Sequence, residues 1–202
     1  MKTSSPLMRE LIHPLWLRLC HWTNALAIVV MLMSGWRIYD ASPLFSFSFP
    51  KSITLGGWLG GALQWHFAAM WVFALNGILY LLINLCSGRF KVRFLPLGVG
   101  DLIRDLKAAL HGRLTHTDAR HYNMVQKFAY VSMVLAAGGL IISGLVLWKS
   151  VQFPFLRSLL GGYDSARFIH FYLMAFIAAF IVVHLVMVML VPKTFLTIVR
   201  GR

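Results

Sequence analysis

The sequence predicts an all-α integral membrane protein, a bundle of four transmembrane helices. Hydrophobic residues make up 59% of its 202 residues and charged residues only 12%, a balance typical of membrane proteins and rare among soluble domains. Four apolar stretches are long enough to cross a bilayer, which takes about 20 residues. Backbone polar groups in lipid must be satisfied within their own segment, so these stretches are expected to be helices of a single membrane domain, 1–202.

The four predicted spans lie at 20–39, 61–85, 128–148 and 168–191. Tryptophans near the span ends match the aromatic belt of membrane proteins; they are Trp22, Trp36, Trp58, Trp65 and Trp148. Between the second and third spans, DLIRDLKAALHGRL at 101–114 has Leu and Ile at helical spacing. This segment is predicted to form an interfacial helix whose basic face meets anionic membrane lipid.

The distribution of Lys and Arg predicts the orientation. Of the 19 basic residues, 14 lie in the N-terminal tail, the loop 86–127 and the C-terminal tail. Cytoplasmic loops collect Lys and Arg, so both termini and this loop are expected to be cytoplasmic. The same distribution explains the net charge of +13 without nucleic acid, because the basic residues sit between apolar runs rather than on one stripe. No nucleic-acid partner is expected.

Four histidines lie within the predicted spans at two depths. His170 and His184 are fourteen residues apart, two heptads, so they share one face of a helix in a left-handed bundle, about 21 Å apart. His21 has the depth of His184 near the cytoplasmic face, and His66 has the depth of His170 near the periplasmic face. An unpaired polar ring in hydrocarbon costs free energy, so each ring is expected to have a partner. The four form two pairs.

Haem is the expected ligand between two imidazoles on facing helices. Zinc and a proton relay are disfavoured because the predicted spans contain no Asp or Glu. The absence of CxxCH argues against covalent c-type haem, so two b-type haems are predicted, with the four histidines as iron ligands. Glycines can leave room for a macrocycle or allow close helix packing; the candidates are Gly35, Gly77, Gly138, Gly139 and Gly144.

The stretch RLCHWTNALAIVVMLMSG at 18–35 resembles the opening of bacterial b-type cytochromes of the nickel–iron hydrogenase and b561 group. The histidine near the start of the second span and the H-x13-H fourth span resemble the same group, over nearly the whole chain. The resemblance implies a four-helix dihaem bundle in the bacterial inner membrane. It pairs His21 with His184 and His66 with His170.

A finer resemblance concerns RHYNMVQKFAY at 120–130. It is similar to the segment that opens the third helix in formate dehydrogenase gamma subunits and thiosulfate reductase cytochrome b subunits. That similarity implies that Asn123 and Gln126, with Lys127 as a weaker candidate, border a quinone pocket beside the haem of His184. Helix capping and interfacial anchoring are an equally open interpretation of these residues.

The expected function is electron transfer between the quinone pool at the cytoplasmic-side haem and a periplasmic redox protein at the His66/His170 haem. No residue is expected to be catalytic in other chemistry. GGWLGGALQWH at 56–66 is similar to subunits paired with periplasmic molybdenum oxidoreductases, so a molybdopterin enzyme is the expected partner, with hydrogenase next. Arg18 and Arg37 are expected to meet either haem propionates or lipid headgroups.

Two alternatives remain open. In one, the chain is a free-standing oxidoreductase, such as a superoxide:quinone oxidoreductase, whose small substrate meets the outer haem. Basic residues on that side suggest an attracting surface; they are Lys51, Lys149, Arg157 and Arg167. In the other, the chain is a haem-free membrane anchor or transporter.

Overall fold

The computed structural model describes residues 13–88, 90, 98–110 and 124–201. These ranges contain helices and no strand, which confirms the predicted all-α class. The helices are α1 (Leu15–Ala41), α2 (Leu59–Cys86), α3 (Val99–Leu110), α4 (Met124–Trp148), α5 (Pro154–Leu159), α6 (Tyr163–Leu190) and α7 (Pro192–Arg200), with a 3-10 turn at Lys51–Ile53.

Helices α1, α2, α4 and α6 are long and apolar enough to cross a membrane. Each corresponds to one predicted span, and each begins two to five residues before the predicted start. A helix continues through the headgroup region beyond the hydrocarbon core, so its ends accept polar residues. The longer helices thus include Asp40 in the last turn of α1 and Asp164 in the first turn of α6.

The four spans pack as two antiparallel hairpins, α1 with α2 and α4 with α6. Small buried residues line the first hairpin at heptad spacing, with Cys20, Ala27 and Ser34 on α1 and Ala62 and Ala69 on α2. Small side chains let two helix backbones approach closely in lipid, where no hydrophobic driving force brings helices together. The closest approaches of the backbones therefore lie within the hairpins.

The second hairpin repeats this small-residue packing. Ala136 and Ser143 on α4 and Ala166 on α6 are buried, again with a heptad between the two α4 residues. A Cβ atom built on Gly139 would approach Leu173 Cδ1 to 2.6 Å. Close helix packing is therefore the role of this glycine.

The bundle has two ends, which we call the terminal end and the loop end. At the terminal end, the His13 backbone N–H donates to the Gly201 carbonyl across 3.5 Å, so both ends of the described chain meet there. The connection 87–123 joins α2 to α4 at the same end, and the loop end carries the connections 42–58 and 149–162. Both ends of the described chain lie on the same side of the bundle, as an even number of spans requires.

Two amphipathic helices accompany the spans at the terminal end. Helix α3 overlaps the predicted interfacial segment 101–114 but starts two residues earlier, and 111–114 fall outside the described residues. The Asp105 carboxylate accepts the Met124 backbone N–H at 2.9 Å, which docks α3 on the first turn of α4. Helix α7 was not predicted, and its Phe195 ring lies edge-on to Trp22 at 6.3 Å between centroids.

Candidate functional site

The four span histidines face each other in two pairs, one toward each end of the bundle. The ring centroids of His21 and His184 are 6.3 Å apart, and those of His66 and His170 are 6.5 Å apart. His66 and His170 are both seven residues after the start of their helices, which gives them equal depth. Each pair joins one ring from the first hairpin to one ring from the second.

The spacing within each pair fits a metal ion between the two rings. An imidazole nitrogen binds a first-row metal at about 2 Å, so two imidazoles on opposite sides of one ion have centroids about 6 Å apart. In the described ranges no three His, Cys, Asp or Glu side chains converge on a metal position. Each pair thus offers two protein ligands, the number that the axial positions of porphyrin iron require.

An apolar cavity lies beside the loop-end pair, and all four spans contribute to it. His66 and His170 supply its polar groups. The other lining side chains are Ile28, Met31, Leu32, Phe73, Leu140, Met174 and Ile177. Apolar walls with two convergent nitrogen ligands suit a flat, largely apolar macrocycle.

Two buried serines contact the loop-end rings, and the sequence analysis did not identify them. Ser34 Oγ lies 3.1 Å from His66 Nδ1, and Ser143 Oγ lies 3.0 Å from His170 Nδ1. Both serines are fully buried. The sequence contains a pattern that could have identified them. Each serine directly precedes a glycine and lies seven residues after an alanine.

Two of the candidate glycines lie against the same rings. A Cβ atom built on Gly35 would lie 3.5 Å from His66 Cε1, and one on Gly144 would lie 3.3 Å from His170 Cε1. A Cβ on Gly77 or Gly138 would meet no described protein atom within 4 Å. Gly35 and Gly144 therefore belong to the histidine site, and Gly139 belongs to the helix packing.

The terminal-end pair has an aromatic and partly cationic setting. Trp22 lies edge-on to His21 at 5.4 Å, and Phe180 stacks on His184 at 6.0 Å. One turn before His21 on the same helix, Arg18 Nε is buried without a hydrogen-bond partner among the described residues. Buried polar groups are normally satisfied, so this guanidinium fits an anionic group carried by a ligand.

Aromatic residues cover the loop end of the bundle next to His170. Phe45, Phe47 and Phe49 alternate along the connection after α1 and contact Tyr39 and Phe171; we call these five residues the aromatic cap. Their rings are 5.2 to 6.3 Å apart, which is the usual range for aromatic pairs. The cap is next to the loop-end pair, since Phe171 directly follows His170 on α6.

Two polar contacts hold the cap in place. The Asp40 carboxylate accepts the Phe49 backbone N–H at 2.8 Å. The Arg167 guanidinium donates to the Ser42 carbonyl at 2.6 Å and to its hydroxyl at 3.1 Å. The first contact joins the connection to α1 and the second joins it to α6, so both hairpins hold the loop end together.

Two of the three predicted quinone residues lie at the terminal end. Gln126 and Lys127 occupy the first turn of α4, next to the point where Asp105 of α3 docks. Asn123 falls outside the described residues. Arg37, the second predicted propionate partner, is half-buried near the loop end of α1.

Comparison with known proteins identifies the family. A sequence profile described as prokaryotic cytochrome b561 matches residues 12–201. The chain is 56% identical over 190 residues to the putative protein-methionine-sulfoxide reductase subunit YedZ1 of Azospira oryzae (strain ATCC BAA-33 / DSM 13638 / PS), covering 94% of this chain and 96% of that protein. With four membrane-spanning helices and facing histidines inside them, the chain belongs to the prokaryotic cytochrome b561 family of electron-transferring, multi-pass membrane proteins that carry b-type haem.

Proposed function

We propose that this chain is a dihaem electron-transfer subunit linking the quinone pool at the terminal end to a periplasmic redox partner at the loop end. His21 and His184 hold one haem b, and His66 and His170 hold the other. The haems supply one-electron chemistry, and the protein fixes their position, ligation and surroundings. The single observation that carries the proposal is the pair of facing imidazoles at each of two depths.

The spacing of the two pairs supports transfer across the membrane. His170 and His184 lie fourteen residues apart on α6, so the pairs stand about 21 Å apart along the helix axis. That separation covers most of a hydrocarbon core of about 30 Å. One centre is thus close to each membrane face.

The orientation follows the count of basic residues. We place the terminal end in the cytoplasm and the protein in the bacterial inner membrane, since 14 of the 19 Lys and Arg belong to that end. The quinone site lies there too, formed by Asn123 and Gln126. Its support is that Gln126 lies in the first turn of α4, at the same end as the His21/His184 pair.

The partner is a periplasmic molybdopterin reductase. The Azospira oryzae relative is described as a putative protein-methionine-sulfoxide reductase subunit, which supports this choice and suggests the substrate class. A reductase consumes electrons, so the flow runs from quinol at the terminal end to the partner at the loop end. The chain provides the membrane part of such an enzyme.

The contacts of the loop-end basic residues favour a subunit over a free-standing superoxide oxidoreductase. Arg167 is engaged with Ser42, and Lys149 lies over the Trp148 ring at 5.1 Å. Two of the four loop-end basic residues therefore have a structural role in the connections between the spans. Purified chain that reduced quinone with superoxide, without a partner, would overturn the subunit proposal.

Removing one histidine tests the haem assignment. His170→Ala is expected to lose the loop-end haem and keep the other, so haem per protein falls by about half, because one imidazole cannot replace two axial ligands. His184→Ala should give the complementary loss. The measurement is haem content and the visible spectrum of purified protein, with His116→Ala in the loop 86–127 as the control that retains both haems. Two haems in His170→Ala would contradict the assignment.

The quinone site is tested through Gln126. Gln126→Ala is expected to slow quinol-driven haem reduction by about five- to tenfold, the effect of one lost hydrogen bond to a bound substrate. Haem content should stay unchanged. Stopped-flow reduction by a quinol measures the rate, and Gln152→Ala in the loop-end connection is the control. Equal rates in both variants would remove Gln126 from the site.

A further inference from the structure

We propose that Ser34 and Ser143 are paired positioning residues for the loop-end haem. Each serine hydroxyl accepts the Nδ1–H of one histidine, His66 or His170, and so keeps the Nε2 lone pair of that ring available to iron. The inference rests on the proposed haem between these two histidines. It adds a hydrogen-bonding partner to each axial ligand.

The direction of these hydrogen bonds follows from the serine contacts. Ser34 Oγ donates to the Val30 carbonyl at 2.6 Å, one turn earlier on its own helix. A hydroxyl has one hydrogen, so toward His66 at 3.1 Å the oxygen acts as an acceptor. The Nδ1 atom of His66 must then carry the proton. A neutral imidazole protonated at Nδ1 has its lone pair on Nε2.

The second hairpin supplies the same arrangement. Ser143 Oγ donates to the Gly139 carbonyl at 2.7 Å and lies 3.0 Å from His170 Nδ1. His170 is therefore protonated at Nδ1 by the same reasoning. Both rings of the pair have Nε2 as their free nitrogen, and both border the apolar cavity.

The surroundings leave few acceptors besides the serines: each ring also has one backbone carbonyl within hydrogen-bonding reach, that of Met31 for His66 and that of Leu140 for His170. Both serines have 0% exposed surface, so water does not compete for the ring N–H. The cavity side chains near the two rings are otherwise apolar. In a medium of low dielectric constant a hydrogen bond is stronger and an unpaired N–H is more costly than in water.

The two hairpins repeat the same sequence pattern around the serine and the histidine. A buried alanine is followed by a buried serine seven residues later and then by a glycine, and on the next helix a buried alanine precedes the histidine by four residues. The members are Ala27, Ser34, Gly35, Ala62 and His66 in the first hairpin and Ala136, Ser143, Gly144, Ala166 and His170 in the second. Two independent helix pairs thus place the same groups around the two rings. The repetition supports a shared role toward one ligand.

The terminal-end pair differs from the loop-end pair in the neighbours of its rings. Among the described residues, the rings of His21 and His184 have aromatic neighbours and no side-chain hydrogen bond comparable to those of the serines. A hydrogen bond from the distal ring N–H orients a ligating histidine and raises its basicity. Greater basicity stabilises ferric iron, so the serines should lower the reduction potential of the loop-end haem.

Redox titration of the haem-loaded protein tests the proposal. Ser34→Ala and Ser143→Ala should each raise the midpoint potential of the loop-end haem, and the double variant should raise it further. The potential of the terminal-end haem should not move. Ser34→Thr and Ser143→Thr keep the hydroxyl and should retain the original potential. Ser34→Cys and Ser143→Cys keep the volume with a weaker acceptor, so their potentials should lie between those of the native protein and the alanine variants.

A serine with the same backbone contact serves as the matched control. Ser87 Oγ donates to the Ile83 carbonyl at 2.6 Å, as Ser34 does to Val30, but contacts no histidine among the described residues. Ser87→Ala should leave both potentials unchanged. The electron paramagnetic resonance signal of the loop-end haem provides a second readout, since its low-spin g values report the orientation of the axial imidazoles.

The outcomes separate this inference from the proposed function. Unchanged potentials and resonance signals in both alanine variants, with two haems bound, would overturn the serine role and leave the haem sites intact. A threonine variant that shifted the potential as far as alanine would also overturn it. Failure of the haem assignment would instead show as two retained haems in His170→Ala.

Discussion

Polar side chains inside the bundle form specific contacts. Asn76 on α2 donates to the Cys20 carbonyl on α1 at 2.8 Å, which joins the two helices next to His21. Ser34 and Ser143 contact the loop-end histidines. In lipid no water satisfies such groups, so each polar residue needs a defined partner within the protein.

The space beside each loop-end ring differs between the two hairpins. Gly144→Ala places a methyl group 3.3 Å from His170 Cε1, tighter than ordinary contact, whereas Gly35→Ala places one 3.5 Å from His66 Cε1. We expect Gly144→Ala to displace the His170 ring and lower loop-end haem content or alter its resonance signal. Gly35→Ala should have a smaller effect.

Haem content and the low-spin resonance signal measure this difference. Gly100→Ala in α3 is the control, since its Cβ would meet no described atom within 4 Å. An effect of Gly35→Ala as large as that of Gly144→Ala would show that the contact with the ring does not decide the outcome.

The connection after α1 packs against the loop ends of α1 and α6, near the loop-end histidines. It has little regular structure beyond one 3-10 turn, and its conformation depends on the aromatic cap and two polar anchors. Aromatic pairs contribute about 0.5 to 1.5 kcal/mol each beyond their buried area, so several together hold an irregular segment in place. We therefore expect the cap to limit the access of small reductants to the loop-end pair.

The hydrogen bond at Asp40 can be removed to test whether the connection limits access to the loop-end pair. Asp40→Ala removes the acceptor of the Phe49 backbone N–H, a hydrogen bond to a charged group that contributes about 1.5 to 3 kcal/mol. Opening of the connection should then be at least tenfold more frequent, and dithionite should reduce the loop-end haem about tenfold faster. Asp40→Asn keeps an acceptor oxygen and should resemble the native protein. Identical rates for the two variants would rule out the anchor as the cause.

The whole molecule consists of two hairpins whose histidines meet between them. Each hairpin has its own packing of small residues, and the contacts between the hairpins include the facing rings, the aromatic cap and the packing of Trp148 against Phe67 and Trp71. A ligand bound by both rings of a pair would therefore tie the hairpins together. The proposed haems thus have a structural as well as an electron-transfer role.

The native cysteines test the proposed orientation. Cys86 is exposed at the terminal end of α2, and Cys20 is 5% exposed inside the first hairpin. A membrane-impermeant maleimide should label Cys86 in inside-out vesicles and not in spheroplasts, because the proposed orientation places the terminal end in the cytoplasm. Cys86→Ser should remove the labelling. Labelling in spheroplasts would reverse the orientation.

Much of this architecture could be predicted from local sequence. The four spans follow from the length of their apolar runs, and the depths of the histidines follow from their distance to the span ends. The helix ends were placed less well, by up to five residues, because Leu15–Leu19 and Tyr163–Arg167 mix polar and apolar residues in the headgroup region. Helix α7 was missed although its nine residues are clearly amphipathic, because it is short and begins at a proline directly after the last span.

The sequence by itself determined the class of protein, the number of spans, the depth of each histidine and the resemblance to the b561 group. These properties depend on composition and on spacing along one helix. Only the tertiary structure decided that Ser34 and Ser143 contact the ring nitrogens, that Gly139 packs against Leu173 while Gly144 faces His170, and that an aromatic cap covers the loop end. Such contacts depend on how two helices rotate and approach each other, which side-chain packing across the whole bundle sets.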